Sequence, residues 1–165
     1  MLLTIVPSFI LLAGVVDDLR SRKVHNWLVG VLVVVAMAFQ LFTQGWAGVQ
    51  QGALGIGAAM VVGVPLVIFK LMGAVDMKLM LAFGMATSWK TTVAVMVLAI
   101  VWGALLGLIR AVVAGEFKKL MLSTYNVALK KAAPSSQLHK IPYTVALFFG
   151  WLTHLVLARL PGGTL

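Results

Sequence analysis

Asp17, Asp18, Asp76 and Glu116 carry every acidic side chain in this chain of 165 residues, so their placement bounds the chemistry open to it. The absence of cysteine excludes a thiol nucleophile, a thiolate zinc site, a disulfide framework and CxxC redox chemistry within this chain. His25, His139 and His154 lack metal-ligand spacing and read as core or interfacial histidines. The placement of the few acids therefore carries the most information. Two carboxyl groups within hydrogen-bond reach cannot both ionise cheaply, so they share a proton. The ionised member can then activate water while the protonated member serves a leaving group, and the pair titrates as a unit. Such a dyad hydrolyses an amide with neither a metal nor a covalent intermediate. The plainer alternative is a set of interfacial ion pairs, joining Asp17 or Asp18 to Arg20, Arg22 or Lys23, and Asp76 to Lys70 or Lys78.

The elements that would position these acids are membrane helices. Hydrophobic residues make up 62% of the chain, charged residues only 10%, and the mean hydropathy is +1.07, a balance that excludes a water-soluble domain with an ordinary polar shell. The net charge of +9 reads as membrane-face anchoring rather than a nucleic-acid footprint, because few polar residues surround the basic groups. Uninterrupted apolar runs without strand alternation predict an all-α polytopic protein of about six transmembrane helices, over residues 2–16, 27–42, 52–69, 74–89, 91–109 and 142–157. The first run lacks a basic region before it and a small-residue cleavage site, and is expected to remain as a helix. A single membrane-embedded domain over residues 1–165 follows.

Basic residues set the orientation. With the N-terminus outside, the cytoplasmic segments hold Arg20, Arg22, Lys23, Lys70, Lys78, Arg110, Lys118, Lys119, Lys130, Lys131 and Lys140, eleven of the thirteen basic residues. Lys90 and Arg159 fall outside, and the loop over residues 43–51 is uncharged. The polar segment 115–140 is expected to lie as an amphipathic cytoplasmic loop along the inner leaflet, held by anionic lipid. Gly52, Gly55, Gly57 and Gly63 are expected to serve helix packing, the nine methionines adaptable packing, and Trp27, Trp46, Trp89 and Trp151 interfacial anchoring. In this topology Asp17 and Asp18 end the first span and Asp76 opens the fourth at the same cytoplasmic boundary. Contact between Asp76 and one of the pair is therefore allowed.

The stretches DDLRSRKVHNWLVG at 17–30 and GAVDMKLMLAFG at 73–84 resemble the two signature regions of the type IV prepilin peptidase family, the GxGD-type membrane aspartic proteases. Asp18 stands eight residues before Asn26, the family interval, which favours it over Asp17. Gly73, Asp76, Lys78 and Leu79 match the GxGDxKLL-like motif, and Gly84 falls where a glycine is usual. HKIPYTVALFFG is similar to the start of the family's final helix. Two positions depart from the pattern: Val75 replaces the glycine before the second aspartate, and His25 replaces the proline before the asparagine.

The resemblance implies a membrane aspartic endopeptidase that removes the leader peptide of a prepilin at the cytoplasmic membrane face, cutting after a glycine. Asp18 and Asp76 would be the paired acid and base, with Asn26, Lys78, Gly73 and Gly84 as supports, and neither a cofactor nor a metal. A chain this short, lacking cysteine, is similar to the peptidase-only branch serving Flp or tight-adherence pili, without methyltransferase activity. The competing expectations are a small ion- or proton-coupled transporter and a non-catalytic pilus assembly protein of the same fold.

Overall fold

The computed structural model describes residues 2–21, 25–69, 72–113 and 143–159. These form five α-helices and, among the described residues, no strand: α1 (Leu2–Ser21), α2 (Asn26–Ile68), α3 (Ala74–Ala86), α4 (Trp89–Val113) and α5 (Tyr143–Leu157). Two segments, Asn26–Ile68 and Trp89–Ile109, are long and apolar enough to cross a membrane. The expected cytoplasmic segment 115–140, with Glu116, lies outside the described residues, as do His139 and Pro142.

Five helices stand where six were expected because α2 contains the second and third expected spans. The uncharged loop expected over residues 43–51 is helical except at Gly45, whose φ of 63° and ψ of −151° break the ladder. That backbone conformation is open to glycine and strained for residues carrying a Cβ. The break reverses the chain: Asn26 on the first arm touches Lys78, and Gly63 on the second arm faces Met77 of α3, so both arms return to one level.

Helix ends also depart from the expected spans. α1 continues to Ser21 rather than residue 16, and α4 to Val113 rather than residue 109. Hydropathy marks where an apolar environment ends, whereas the backbone ladder continues as long as successive residues tolerate helical geometry. α3 is shorter than expected, stopping at Ala86 instead of residue 89. Thr87 there is extended, and its hydroxyl turns back to donate to the Phe83 carbonyl at 2.9 Å.

The second arm of α2 and α3 pack antiparallel with almost nothing between them. A Cβ on Gly84 would stand 2.6 Å from the Gly55 carbonyl oxygen, and one on Gly55 would collide with the Gly84 carbonyl. Gly52 approaches Met85 in the same way, whereas Gly57 faces open space and takes no part in this contact, contrary to expectation. Small residues at such a seam let backbones approach where hydrocarbon gives no hydrophobic drive to associate.

α5 closes the bundle. The Trp151 indole N–H donates to the Ser8 hydroxyl on α1 at 2.8 Å, and the Trp102 N–H on α4 donates to Thr153 at 2.8 Å. Trp151 also packs edge-on against Phe83, with ring centroids 5.2 Å apart. It is therefore a buried core residue rather than an interfacial anchor, while Trp27, Trp46 and Trp89 are exposed. The outward surfaces of α1, α2 and α4 are lined with exposed Val, Leu, Ile and Phe, and the interior holds Gln40, Asp76, Thr87, Thr92, Thr144 and His154. Polar groups inside and apolar groups outside is the arrangement a bilayer favours.

Candidate active site

Asp76 is the third residue of α3, after Gly73 at the N-cap. First-turn N–H groups of a helix have no partner within it, and a carboxylate three residues beyond the cap can turn back to meet them. The Asp76 side chain does so, facing the N–H groups of Gly73 and of Asp76 itself. A side chain at position 73 would interfere, since its Cβ would lie 2.6 Å from Asp76 Oδ2. Gly73 thus shapes the carboxylate directly.

Val75 occupies the second position of α3 and is helical, so no left-handed conformation is needed where the motif usually carries glycine. The other departure is equally well accommodated. His25 caps α2 with φ −71° and ψ 135°, values open to proline, and uses the N–H that proline lacks to donate to Asp17 Oδ2 at 3.1 Å. Its ring Nδ1 lies 3.2 Å from the same oxygen. Asp17 is thereby tied to the α1–α2 junction.

Asp18 turns the other way, into the bundle. Gly14 of α1 is seated against the Leu79 side chain of α3. One helical turn onward from Gly14 is Asp18, and one turn back from Leu79 is Asp76, so this contact sets both aspartates at the same level. They lie within electrostatic reach of each other. Between them sits Thr144 in the first turn of α5: its hydroxyl donates to Asp18 Oδ2 at 2.8 Å, and its backbone N–H faces the Asp76 carboxylate. Thr144 is fully buried and Asp76 nearly so. Tyr143 is also within electrostatic reach of Asp76.

The supports divide. Lys78 Nζ donates to Asn26 Oδ1 at 2.8 Å, bracing the start of α3 against the start of α2. Gly84 stands about two helical turns along α3 from Asp76, at the α2–α3 seam, and acts through packing. Among the described residues, no Lys or Arg forms an ion pair with Asp76, and Asp17 pairs with His25. Lys70, Arg22 and Lys23 lie outside the described residues. Among the described residues, no group of three His, Cys, Asp or Glu side chains is arranged to hold a metal ion.

Residues 5–108 match the family model of the type IV leader peptidase family, more than half of the chain. The chain belongs to the type IV leader peptidase family. No curated protein and no solved structure matches it. The matched segment contains both aspartates and stops before α5, so the leader peptidase match leaves Thr144 outside it. Sequence reasoning missed that residue. Its position two residues after the Ile-Pro step, at the start of an apolar run, reads simply as a helix beginning.

Proposed function

We propose that this protein is a membrane aspartic endopeptidase that removes the leader peptide of Flp-like type IV prepilins at the cytoplasmic membrane face, with Asp18 and Asp76 as the catalytic pair. The observation that carries this reading is the meeting of the two motif aspartates, from α1 and α3, around the start of α5. The family match supports the leader peptidase activity, and the apolar exterior supports a multi-pass protein whose helical rods cross the inner membrane. With the basic residues at the end of α1 and the start of α3 on the cytoplasmic side, the dyad faces the prepilin leader, and the N-terminus lies outside. The activity is cleavage alone, without methyl transfer and without a cofactor.

In the reaction, the ionised carboxylate takes a proton from water while the other carboxyl donates its proton to the carbonyl oxygen of the scissile amide. Water oxygen bonds to the carbonyl carbon. As the resulting tetrahedral adduct collapses, the amine nitrogen receives a proton through the dyad and the C–N bond breaks, leaving a leader carboxyl and a new pilin amine. Asn26 and Lys78 hold the α3 start, and Gly73 keeps space for the Asp76 carboxylate. The adjacent Asp17 is not part of the pair.

The test incubates purified full-length protein, reconstituted in vesicles, with an Flp-type prepilin and with variants. Asp18→Asn and Asp76→Asn should each lower cleavage by about 10²-fold or more, while Asp17→Asn should cost about fivefold at most, the scale of an exposed ion pair. Undiminished cleavage by either of the first two removes the dyad assignment. Failure of the wild-type protein to cut any prepilin removes the peptidase reading.

A further inference from the structure

We propose that Thr144 is a positioning residue that fixes the separation and orientation of Asp18 and Asp76, acting on the first through its hydroxyl and on the second through its backbone N–H. This rests on the peptidase reading of the same site. Among the described residues Thr144 is the one whose hydrogen-bonding groups address both carboxylates, with the hydroxyl 2.8 Å from Asp18 Oδ2. It reaches Asp18 across 126 residues of chain, so neither local geometry nor the α1–α3 contact supplies this link.

The residue is suited to the role. It has no exposed surface, so water does not compete for its hydroxyl as it would at a rim. A β-branched side chain in a helix has few rotamers, and the bond to Asp18 selects one of them. Its N–H belongs to the first turn of α5, where no intrahelical carbonyl accepts it, and is free to serve Asp76. α5 itself is anchored on two sides, through Trp151 to Ser8 of α1 and through Trp102 of α4 to Thr153. The position of Thr144 is therefore dictated by the bundle, and it dictates in turn how the carboxylates face each other. A catalytic pair works only when water and the scissile carbonyl fit between its members, so a small misalignment is costly even with both acids present.

The experiment compares wild type with Thr144→Val, which keeps the branched shape and the N–H but loses the hydroxyl, and Thr144→Ser, which keeps both donors. Prepilin cleavage by the full-length protein in vesicles is measured across substrate concentration and pH. Thr144→Val should lower kcat by about 10- to 100-fold, leave KM within about twofold, and displace the pH–rate profile. Thr144→Ser should recover most of the loss. A second readout does not depend on turnover: the infrared carboxyl stretch followed through a pH titration, with Asp18→Asn and Asp76→Asn used to assign the bands. The aspartate bands should titrate differently in Thr144→Val. Unchanged kcat and pH profile in Thr144→Val, or equal losses in the Val and Ser variants, would overturn the proposal. If wild type cuts no prepilin, the peptidase reading falls, and the infrared titration still decides the coupling: superimposable curves for wild type and Thr144→Val sink it.

Discussion

Both ends of the helix bundle bury polar side chains, but with different chemistry. At one end, Asp18 and Asp76 converge on the start of α5, with Lys78 and Asn26 beside them. At the other, a cavity of about 330 Å³ is lined by neutral groups, among them Gln40, Gln44, Thr87 and His154, with Trp151 on its wall. The amides and hydroxyls there largely satisfy one another: Gln44 donates to Gln40 at 2.9 Å, and Thr87 and Thr92 hydroxyls lie 3.2 Å apart. Mutual satisfaction is what structure requires of a buried polar group. The aspartate end goes further, holding two groups that ordinarily carry the same charge within electrostatic reach of each other. Such an arrangement is costly to maintain, and it is the feature on which the proposed catalytic role rests.

The largest effect that would break this comparison comes from the carboxylates. Asp18→Asn and Asp76→Asn keep shape and hydrogen-bonding capacity while removing acid–base exchange, and each should reduce prepilin cleavage by about 10²- to 10⁴-fold, with thermal stability close to wild type. A cleavage assay paired with thermal unfolding in detergent distinguishes lost chemistry from lost fold. A comparable loss from Gln40→Leu at the opposite end would show that the two ends do not differ in function.

Next comes the seam that aligns α3. Gly55→Ala places a Cβ against the Gly84 carbonyl, a backbone atom that cannot rotate away, whereas Gly57→Ala on the same arm meets nothing within 4 Å. Overpacking of this kind costs about 1–3 kcal/mol. Gly55→Ala should lower the unfolding temperature by several degrees and depress cleavage through displacement of Asp76, while Gly57→Ala should change neither. Equal behaviour of the two variants would remove the seam as the device that carries the second aspartate.

A smaller loss is expected from Lys78→Met, which preserves the aliphatic stem and severs the 2.8 Å bond to Asn26. Hydrogen bonds to charged groups contribute about 1.5–3 kcal/mol in protected settings, and this one is exposed, so the loss should fall at or below about tenfold in kcat. Asn26→Leu should match it, and the double variant should be no worse than either single change. Additive losses would mean that the two residues act separately.

How far these features are legible in the sequence depends on the range of the interaction. The apolar runs, and aspartates standing at their ends, can be read locally, and so can the short interval from Asp18 to Asn26. The reversal at Gly45 is not, because TQGW is equally compatible with a polar loop and with a helix broken at one residue, and hydropathy does not distinguish them. Trp151 looks like an interfacial anchor near the end of a span, yet its N–H partner is Ser8, 143 residues away, and that bond draws it into the core. Thr144 escapes for the same reason. Its role exists only once α1 and α5 are side by side. His25 shows the opposite limit: a departure from the motif is visible in the sequence, while its consequence, an N–H donated to Asp17, depends on how the start of α2 is set against the end of α1.

The smallest expected effect concerns His154, and it sharpens the contrast between the ends. Its Nδ1 is buried without a hydrogen-bond partner among the described residues, while the ring stacks on Trp151 with centroids 5.7 Å apart. A buried donor or acceptor left unmatched costs about 1–3 kcal/mol, and replacing it with an apolar group of similar shape can be neutral or stabilising. His154→Phe keeps an aromatic face for Trp151 and deletes the unmatched nitrogen. The unfolding temperature should stay level or rise by a few degrees, and cleavage should remain within about twofold, because the residue lies at the far end of α5 from Thr144. A marked fall in cleavage with unchanged stability would mean that the cavity communicates with the dyad along α5, and the neutral end would have to be counted as part of the working machinery.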